Sequence, residues 1–320
     1  MAGIRIIGLG KATGDKVVTN EDMSRLVDTS DQWIREKSGI CSRFFAENRS
    51  NADMAVEAAQ KAIADAGVKR DQIGWVIVCT FTPDNYTPAV ACAVSGRLGL
   101  PEDTMAFDIN GACTGFIYGC KLADGLLATS NPKTGKMEEA EKKYALIIGS
   151  EKISDFMNME DRSTCVLFGD GAGAAIVEYD SQSMFSFYGG CQFREEILHC
   201  RRGEKIQMAG QEVYRFAVSK VPECIETILQ KTGHIPEQID WFVCHQANER
   251  IIDNGARRLA GQKEKFYKNL YHYGNTSAAS IPIALADMAE EGRLEGGKKV
   301  ICTGFGAGLT FGTMLIEIKR

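Results

Sequence analysis

The sequence predicts an α/β protein made of one unit used twice. Three observations lead there. Apolar β-like runs alternate with helical patterns along the 320 residues. Residues 56–80 (VEAAQKAIADAGVKRDQIGWVIVCT) align without a gap with 222–246 (PECIETILQKTGHIPEQIDWFVCHQ), sharing Glu57/Glu223, Gly67/Gly233, Gln72/Gln238, Ile73/Ile239 and Trp75/Trp241. The order of elements then continues in parallel after each copy. A strand at 104–109 and a helix carrying Cys113 follow the first, and a strand at 265–270 and a helix from about Ser277 follow the second. Strands at 144–149 and 299–304 come next, and each half closes on a Phe-Gly step, Phe168-Gly169 or Phe311-Gly312, before a last β run. The expected halves are 1–178 and 179–320, packed as one body because no Pro- or Ser-rich linker parts them.

Each element has a local reason. Residues 4–9 (IRIIGL) form a first strand. The glycines after it miss the dinucleotide-binding spacing and lead into Val17-Val18 rather than a helix, which argues against that use. Thr19-Asn20-Glu21 caps a helix over 21–28, and Thr29-Ser30-Asp31 caps another running through Trp33. Each copy of the repeated segment reads as amphipathic helix, glycine stop, turn and apolar strand. From Ala112 to Ala128 the only charged residues are Lys121 and Asp124, so that helix is central and buried. The stretch 129–143 (TSNPKTGKMEEAEKK) is polar and reads as an exposed excursion. Residues 181–206 lack a clear period and read as a surface flap. Gly169-Asp170-Gly171-Ala172-Gly173 reads as a tight turn.

Composition excludes several classes. With 44% hydrophobic and 25% charged residues the chain can bury a large core. A net charge of −5 argues against a nucleic-acid binder. The 11 cysteines are scattered with no CxxC pair, which suits free thiols in a reducing cytoplasm better than disulfides or a zinc site. The start MAGIRIIGLG has no long apolar core, and no run reaches the length of a membrane span. Only four histidines are available as bases: His199, His234, His245 and His272.

The chemistry gathers around TMAFDINGACTGFIYGCKLADGLLA, 104–128. A strand ends at Asn110-Gly111, and Cys113 falls in the first turn of the helix that Asn110 is placed to cap. Helix N-termini favour a thiolate, and their N–H groups can hold an oxyanion formed on an acyl group at the sulfur. The plain reading is a small core residue, as most buried cysteines are. The second half supplies partners. His245 ends the strand 240–244, and Asn275 leads from another strand into a helix; alone, each also reads as a structural imidazole or a turn residue. In α/β sheets ligands bind beyond the carboxyl ends of strands, where all three residues lie. Gly304-Phe305-Gly306-Ala307-Gly308 can offer backbone N–H groups at close range, or it is a simple turn.

Taken together, the strings VVTNEDMSRLVDTSDQWI (17–34), FDINGACTGFIYG (107–119), VLFGDGAGAAIVE (166–178), MAGQEVYRFAV (208–218), HQANERI (245–251), YGNTSAASIP (273–282) and GFGAGLTFG (304–312) resemble the β-ketoacyl-acyl-carrier-protein synthase III family over nearly the whole chain. The resemblance implies a thiolase-like fold of duplicated α/β halves in five layers, α-β-α-β-α, and a homodimer. It implies a decarboxylating condensation of an acyl-coenzyme A starter with malonyl-acyl-carrier protein, initiating fatty-acid synthesis. In that scheme Cys113 takes the acyl group, and His245 and Asn275 hold the thioester carbonyl while CO₂ leaves. Cys113 and Gly306 or Ala307 would form a second oxyanion hole. No metal or resident cofactor is implied, coenzyme A entering as a substrate thioester.

Contacts with coenzyme A carry over to Trp33, Lys37, Arg162, Gln211 and Asn248, with Trp33 and Arg162 on the two sides of the adenine. Lys37 stands where the family commonly has arginine, Gln211 where it has asparagine, and Ala307 where many members have glycine. Docking of an acidic carrier protein carries over to Arg215, Arg250, Arg257 and Arg258. Thr87, before Pro88, stands where acetyl-selective members place a bulky phenylalanine in the acyl pocket, so branched or longer starters are expected. The alternatives are a starter-condensing enzyme of secondary metabolism, a cysteine hydrolase of thioesters and a degradative thiolase. The last would need a second catalytic cysteine, and Cys302, inside a strand, fits that poorly.

Overall fold

The computed structural model describes residues 2–130, 142–259 and 262–320. Nine strands share one hydrogen-bonded sheet: β1 (Gly3–Thr13), β2 (Ile73–Cys79), β3 (Met105–Ile109), β4 (Tyr144–Glu151), β5 (Gly171–Asp180), β6 (Ser186–Cys191), β7 (Trp241–Cys244), β8 (Lys298–Gly306) and β9 (Thr310–Ile318). The first five lie in the order β3-β2-β4-β5-β1, with β2 parallel to β3 and β4 and β5 antiparallel to β4 and β1. The last four lie in the order β7-β8-β9-β6, with the same alternation of directions. An isolated parallel bridge, Phe242 to Phe266, stands beside β7 where β3 stands beside β2. The two sets meet where β1 runs parallel to the end of β9, Arg5 opposite Glu317 and Ile6 opposite Ile318.

Seven helices matter for the site: α1 (Asp31–Ser38), α2 (Asn51–Ala66), α3 (Val90–Leu98), α4 (Gly115–Ser130), α5 (Gly210–Thr232), α6 (Glu249–Arg258) and α7 (Ser280–Glu290). They form three layers around the two strand sets. Apolar side chains of α2 and α3 close one core against β2, β4 and β5. Those of α5 and α6 close another against β7, β8 and β9. Between the strand sets lie α4 and α7, whose Phe116, Ile117, Ile281 and Leu285 share a core with residues of both, including Ile77, Ile147, Val243 and Met314. Five layers result, α-β-α-β-α. Strand β2 is buried at every position because helices cover both its faces. In α7 every residue from Ser280 to Ala289 is buried, which makes it a central helix.

Several sequence expectations change. The tight turn expected at 169–173 is instead the entry to β5. Gly173 is there because α7 presses on the strand: a Cβ at that position would come within 2.5 Å of the Ile283 nitrogen. The expected strand at 265–270 shrinks to the Phe266 bridge, flanked by a 3-10 turn (Lys263–Lys265) and a short helix (Leu270–Tyr273). The supposed flap at 181–206 contains β6, which pairs along β9 and completes the second strand set. Its sequence, SFYGGC, has two glycines that hide the alternation of a strand. The boundary expected after residue 178 cuts β5 two residues before its end. The expected excursion at 129–143 lies mostly at 131–141, outside the described residues. Thr19 and Ser30 do cap helices, each accepting a backbone N–H three residues on, although the first helix is only Asn20–Ser24. All 11 cysteines are unpaired. Among the described residues no helix is long and apolar enough to cross a membrane.

Candidate active site

A cavity of about 840 Å³ opens where the strand ends of both sets converge, and Cys113, His245, Asn275 and Gly306 all line it. Each is held there by its own local structure. Cys113 sits in a 3-10 turn (Ala112–Thr114) ahead of α4, not in the first turn of the α-helix itself. Asn110 accepts the Ala112 N–H through its side chain at 3.1 Å and so bends the strand exit instead of capping the helix. Gly306 is fixed by proximity: a Cβ there would stand 2.7 Å from the Cys113 nitrogen. Ala307, next along, is half-buried and is not part of the cavity lining.

His245 follows β7, its N–H bonded to the Thr303 carbonyl at 2.8 Å and its Nδ1 2.7 Å from the Ser280 hydroxyl of α7. The ring meets Phe305 edge-on at 5.3 Å. Burial without a carboxylate partner lowers its pKa from the usual 6.5 to about 3, so it is neutral at physiological pH. Asn275 is clamped by a loop of the first half. Its N–H bonds the Leu167 carbonyl at 2.8 Å, and its own carbonyl accepts from Gly169 at 3.0 Å. The Ser277 N–H occupies the side-chain oxygen at 2.9 Å, which turns the amide NH₂ the other way. His245 and Asn275 are therefore two uncharged hydrogen-bonding groups in the lining of the cavity that Cys113 also lines.

The expected thiolate is not the resting form. Burial pushes the Cys113 thiol up to about 12, helped by the Glu151 carboxyl and opposed by a hydrogen bond with the Ser277 side chain. Among the described residues no cation offsets that burial.

The outer cavity carries the residues read as coenzyme A contacts: Trp33, Lys37, Arg162, Gln211 and Asn248 all line it. The Arg162 guanidinium lies over the Trp33 ring at 4.9 Å and donates to the Asp28 carbonyl at 2.6 Å. Asn248 caps α6, accepting the Arg250 N–H at 2.9 Å, and its NH₂ donates to the Lys37 carbonyl at 2.9 Å. That bond ties α6 to α1 across the cavity mouth.

Of the basic residues, Arg215 and Arg250 stand at the lining, both exposed, with Arg215 bonded to Glu212 and Arg250 over the Tyr214 ring. Arg257 and Arg258 continue along α6, exposed and away from the cavity. Thr87 is not brought to Cys113 within this chain. It lies in an exposed loop, three residues before Val90, whose N–H is held by Asp108 of the edge strand β3. His272 is exposed and Cys302 is buried inside β8, and neither reaches the cavity.

Sequence reasoning missed Ser280, Ser277, Phe305 and Glu151. Ser277 and Ser280 lie inside the NTSAAS string, but nothing in it tells a serine that holds a catalytic ring from a helix cap. Glu151 had a usable signal: it is the lone acid that ends the apolar run YALIIGS.

Family models described as 3-oxoacyl-[acyl-carrier-protein] synthase III match residues 107–191 and, for its C-terminal part, 229–318. The chain is 39% identical to the β-ketoacyl-[acyl-carrier-protein] synthase III of Clostridium acetobutylicum, over 99% of both proteins. Among solved structures it is similar to 3-oxoacyl-[acyl-carrier-protein] synthase III from Aquifex aeolicus VF5, with a TM-score of 0.91 and 38% identity over 98% of this chain and 99% of that one. It is also similar to the priming β-ketosynthase of the R1128 polyketide biosynthetic pathway, with a TM-score of 0.90 and 29% identity over 99% and 96% of the two chains.

Proposed function

The chain belongs to the 3-oxoacyl-[acyl-carrier-protein] synthase III family, a group of thiolase-fold condensing enzymes, and on that premise we propose how its residues divide the reaction. It is an acyltransferase that starts fatty-acid synthesis by a decarboxylating condensation. Cys113 attacks the thioester of an acyl-coenzyme A, and coenzyme A leaves as a thiol. Malonyl-acyl-carrier protein then enters the same cavity. His245 and Asn275 donate hydrogen bonds to its thioester carbonyl oxygen, CO₂ departs, and the enolate attacks the acyl-Cys113. A neutral imidazole suits that role, because it stabilises an enolate oxygen without surrendering a proton to it. The Cys113 N–H and a backbone N–H from Gly306 or Ala307 hold the oxyanion on the acyl carbonyl. The observation that carries this reading is the meeting of Cys113, His245 and Asn275 in one cavity.

Trp33 and Arg162 part to take the adenine between them, and Lys37, Gln211 and Asn248 border the rest of coenzyme A. The chemistry rests on a thiol, an imidazole and an amide, so no resident cofactor is called for. Arg215 and Arg250 at the rim, backed by Arg257 and Arg258 along α6, offer an acidic carrier protein its docking face. The two halves act as duplicated units, the nucleophile in the first and the enolate donors in the second, in a cytoplasmic enzyme. The homodimer rests on the sheet edge at β3: a strand paired on one side only among the described residues, with Met105 57% exposed, is a ready surface for a second copy. Thr87 stands beside that edge, so its part in an acyl pocket falls to the dimer.

The test is to offer acyl-coenzyme A alone and follow the protein mass. A stable acyl adduct on Cys113, released as 3-oxoacyl product only when malonyl-carrier protein is added, supports the reading. Turnover to free acid without malonyl thioester would make the chain a hydrolase. The likeness to a polyketide priming enzyme favours a second reading as a secondary-metabolic condensing enzyme. A panel of acyl donors and carrier proteins separates the two.

A further inference from the structure

Beneath Cys113 lies a carboxyl group that the condensation as described does not use. Glu151 ends β4 and is 0% exposed. Its Oε2 accepts from four donors: the Thr80 hydroxyl at 3.0 Å, the Phe81 and Thr82 N–H groups at 3.2 Å, and the Thr82 hydroxyl at 2.6 Å. Its Oε1 has one partner among the described residues, the Ser277 hydroxyl at 3.1 Å. The turn that carries Ser277 packs against the turn that carries Cys113, and the Ser277 side chain eases the proton off the Cys113 thiol. The other titratable neighbours are the thiols of Cys113 and, from β2, Cys79. The adjacent Lys152 is turned to Asp155 at 3.4 Å, and among the described residues no cation pairs with Glu151.

We propose that Glu151 is a positioning residue for the nucleophile, taking up the Cys113 proton through Ser277 as the acyl group is transferred. The assignment rests on Cys113 being the acylated residue. A thiol, a hydroxyl and a carboxyl in sequence can pass a proton in either direction. With Glu151 ionised, Ser277 donates to Oε1 and accepts from the Cys113 S–H. When the thiol proton passes to Ser277 and the Ser277 proton passes to Oε1, the products are a thiolate, an intact hydroxyl and a neutral carboxylic acid. The thiolate then attacks the acyl-coenzyme A carbonyl, and the carbon–sulfur bond to coenzyme A breaks. Glu151 then passes its proton back to Ser277, and the Ser277 hydroxyl hands its own to the departing coenzyme A thiolate, since the acylated Cys113 sulfur no longer accepts one. No oxidant or further reactant is needed.

Two observations support the direction of transfer. Oε2 is saturated with donors, so a proton can settle only on Oε1, the atom facing Ser277. Burial, opposed by those same hydrogen bonds, raises the Glu151 carboxyl to about 7, which lets it gain and lose a proton at working pH. Ser277 also has a positive φ of 49°, uncommon for a residue with a side chain. Its N–H holds Asn275, so one residue sets both the donor amide and the relay hydroxyl.

The test is the pH profile of single-turnover acylation by acyl-coenzyme A, read by intact mass from pH 5 to 9. The rate at saturation should rise tenfold per pH unit below about 7 and level off above it. His245 titrates far below that window and does not mimic the inflection. Ser277→Ala, which keeps the backbone bond to Asn275, should lower the rate at pH 7 by about 10²–10³-fold and erase the plateau, with the half-saturating acyl-coenzyme A concentration unchanged. Glu151→Gln should do the same if it folds; the wild-type profile stands whether or not it does. A wild-type rate with no inflection between pH 6 and 8, or the same inflection in Ser277→Ala, overturns the relay while leaving Cys113 as the nucleophile. Failure to acylate Cys113 at any pH overturns both.

Discussion

Strands β2 and β7 hold the same place in their two strand sets, each parallel to the neighbour that carries the next element of its half, yet they end in different chemistry. Past β2 come Thr80 and Thr82, which cradle the Glu151 carboxyl. Past β7 comes His245, buried with only a serine hydroxyl on Nδ1. The central helices differ likewise. Before α4 stands Cys113, a group that must lose a proton; before α7 stand Asn275 and Ser277, which donate hydrogen bonds. Repetition of the backbone brings Cys113, His245 and Asn275 to one cavity, while the residues past β2 hold the Glu151 carboxyl outside its lining. In the proposed mechanism the first half carries the nucleophile and the proton-accepting carboxyl, and the second supplies the neutral groups His245, Asn275 and Ser277.

The sharpest way to break this division is at the nucleophile. Cys113→Ala should abolish the acyl adduct and lower condensation by about 10⁴-fold or more, measured with labelled malonyl-carrier protein. His245→Ala acts on the other half. Self-acylation at Cys113 should persist while malonyl decarboxylation falls about 10²–10³-fold, the loss expected for one oxyanion donor. Equal loss of both steps would mean that the halves do not divide the work.

At the rim, Arg250→Glu should raise the KM for malonyl-carrier protein about 10-fold, more at low salt, and leave acylation by acyl-coenzyme A unchanged. Trp33→Ala should show the reverse, with acyl-coenzyme A bound about 3–10-fold more weakly and the carrier protein unaffected.

The electrostatics give a further handle. The imidazole of His245 should show no proton titration between pH 5 and 9 by NMR. Its folded pKa is lowered to about 3, so the unfolded chain takes up a proton near pH 6.5 that the native state refuses. Its contribution to stability is therefore full above that pH and declines as the pH falls toward 3. Denaturant midpoints of wild type and His245→Gln should converge over that range.

Much of this was legible in the chain. The gapless match of 56–80 with 222–246 announced the repeat, because an amphipathic helix, a glycine stop and a buried strand leave strong local patterns. The apolar run 112–128 announced the central helix, since only a helix covered on all sides can do without polar residues. Other parts were not legible. Strand β6 escaped because its ladder to β9 depends on a partner more than 100 residues away, and its glycines carry no pattern. The surroundings of Cys113 escaped because a helix end is visible in sequence, whereas the desolvation that raises its thiol is not.

The sequence by itself determined the two α/β repeats, the central helices and the candidate residues Cys113, His245 and Asn275, all through short-range periodicity and residue type. Only the tertiary structure decided that these groups share a cavity, that the imidazole is neutral and that a buried carboxyl lies under the thiol. Proton affinity depends on what water is excluded and which donors surround a group. Those surroundings come from segments as far apart as residues 80, 151 and 277, which no local pattern connects.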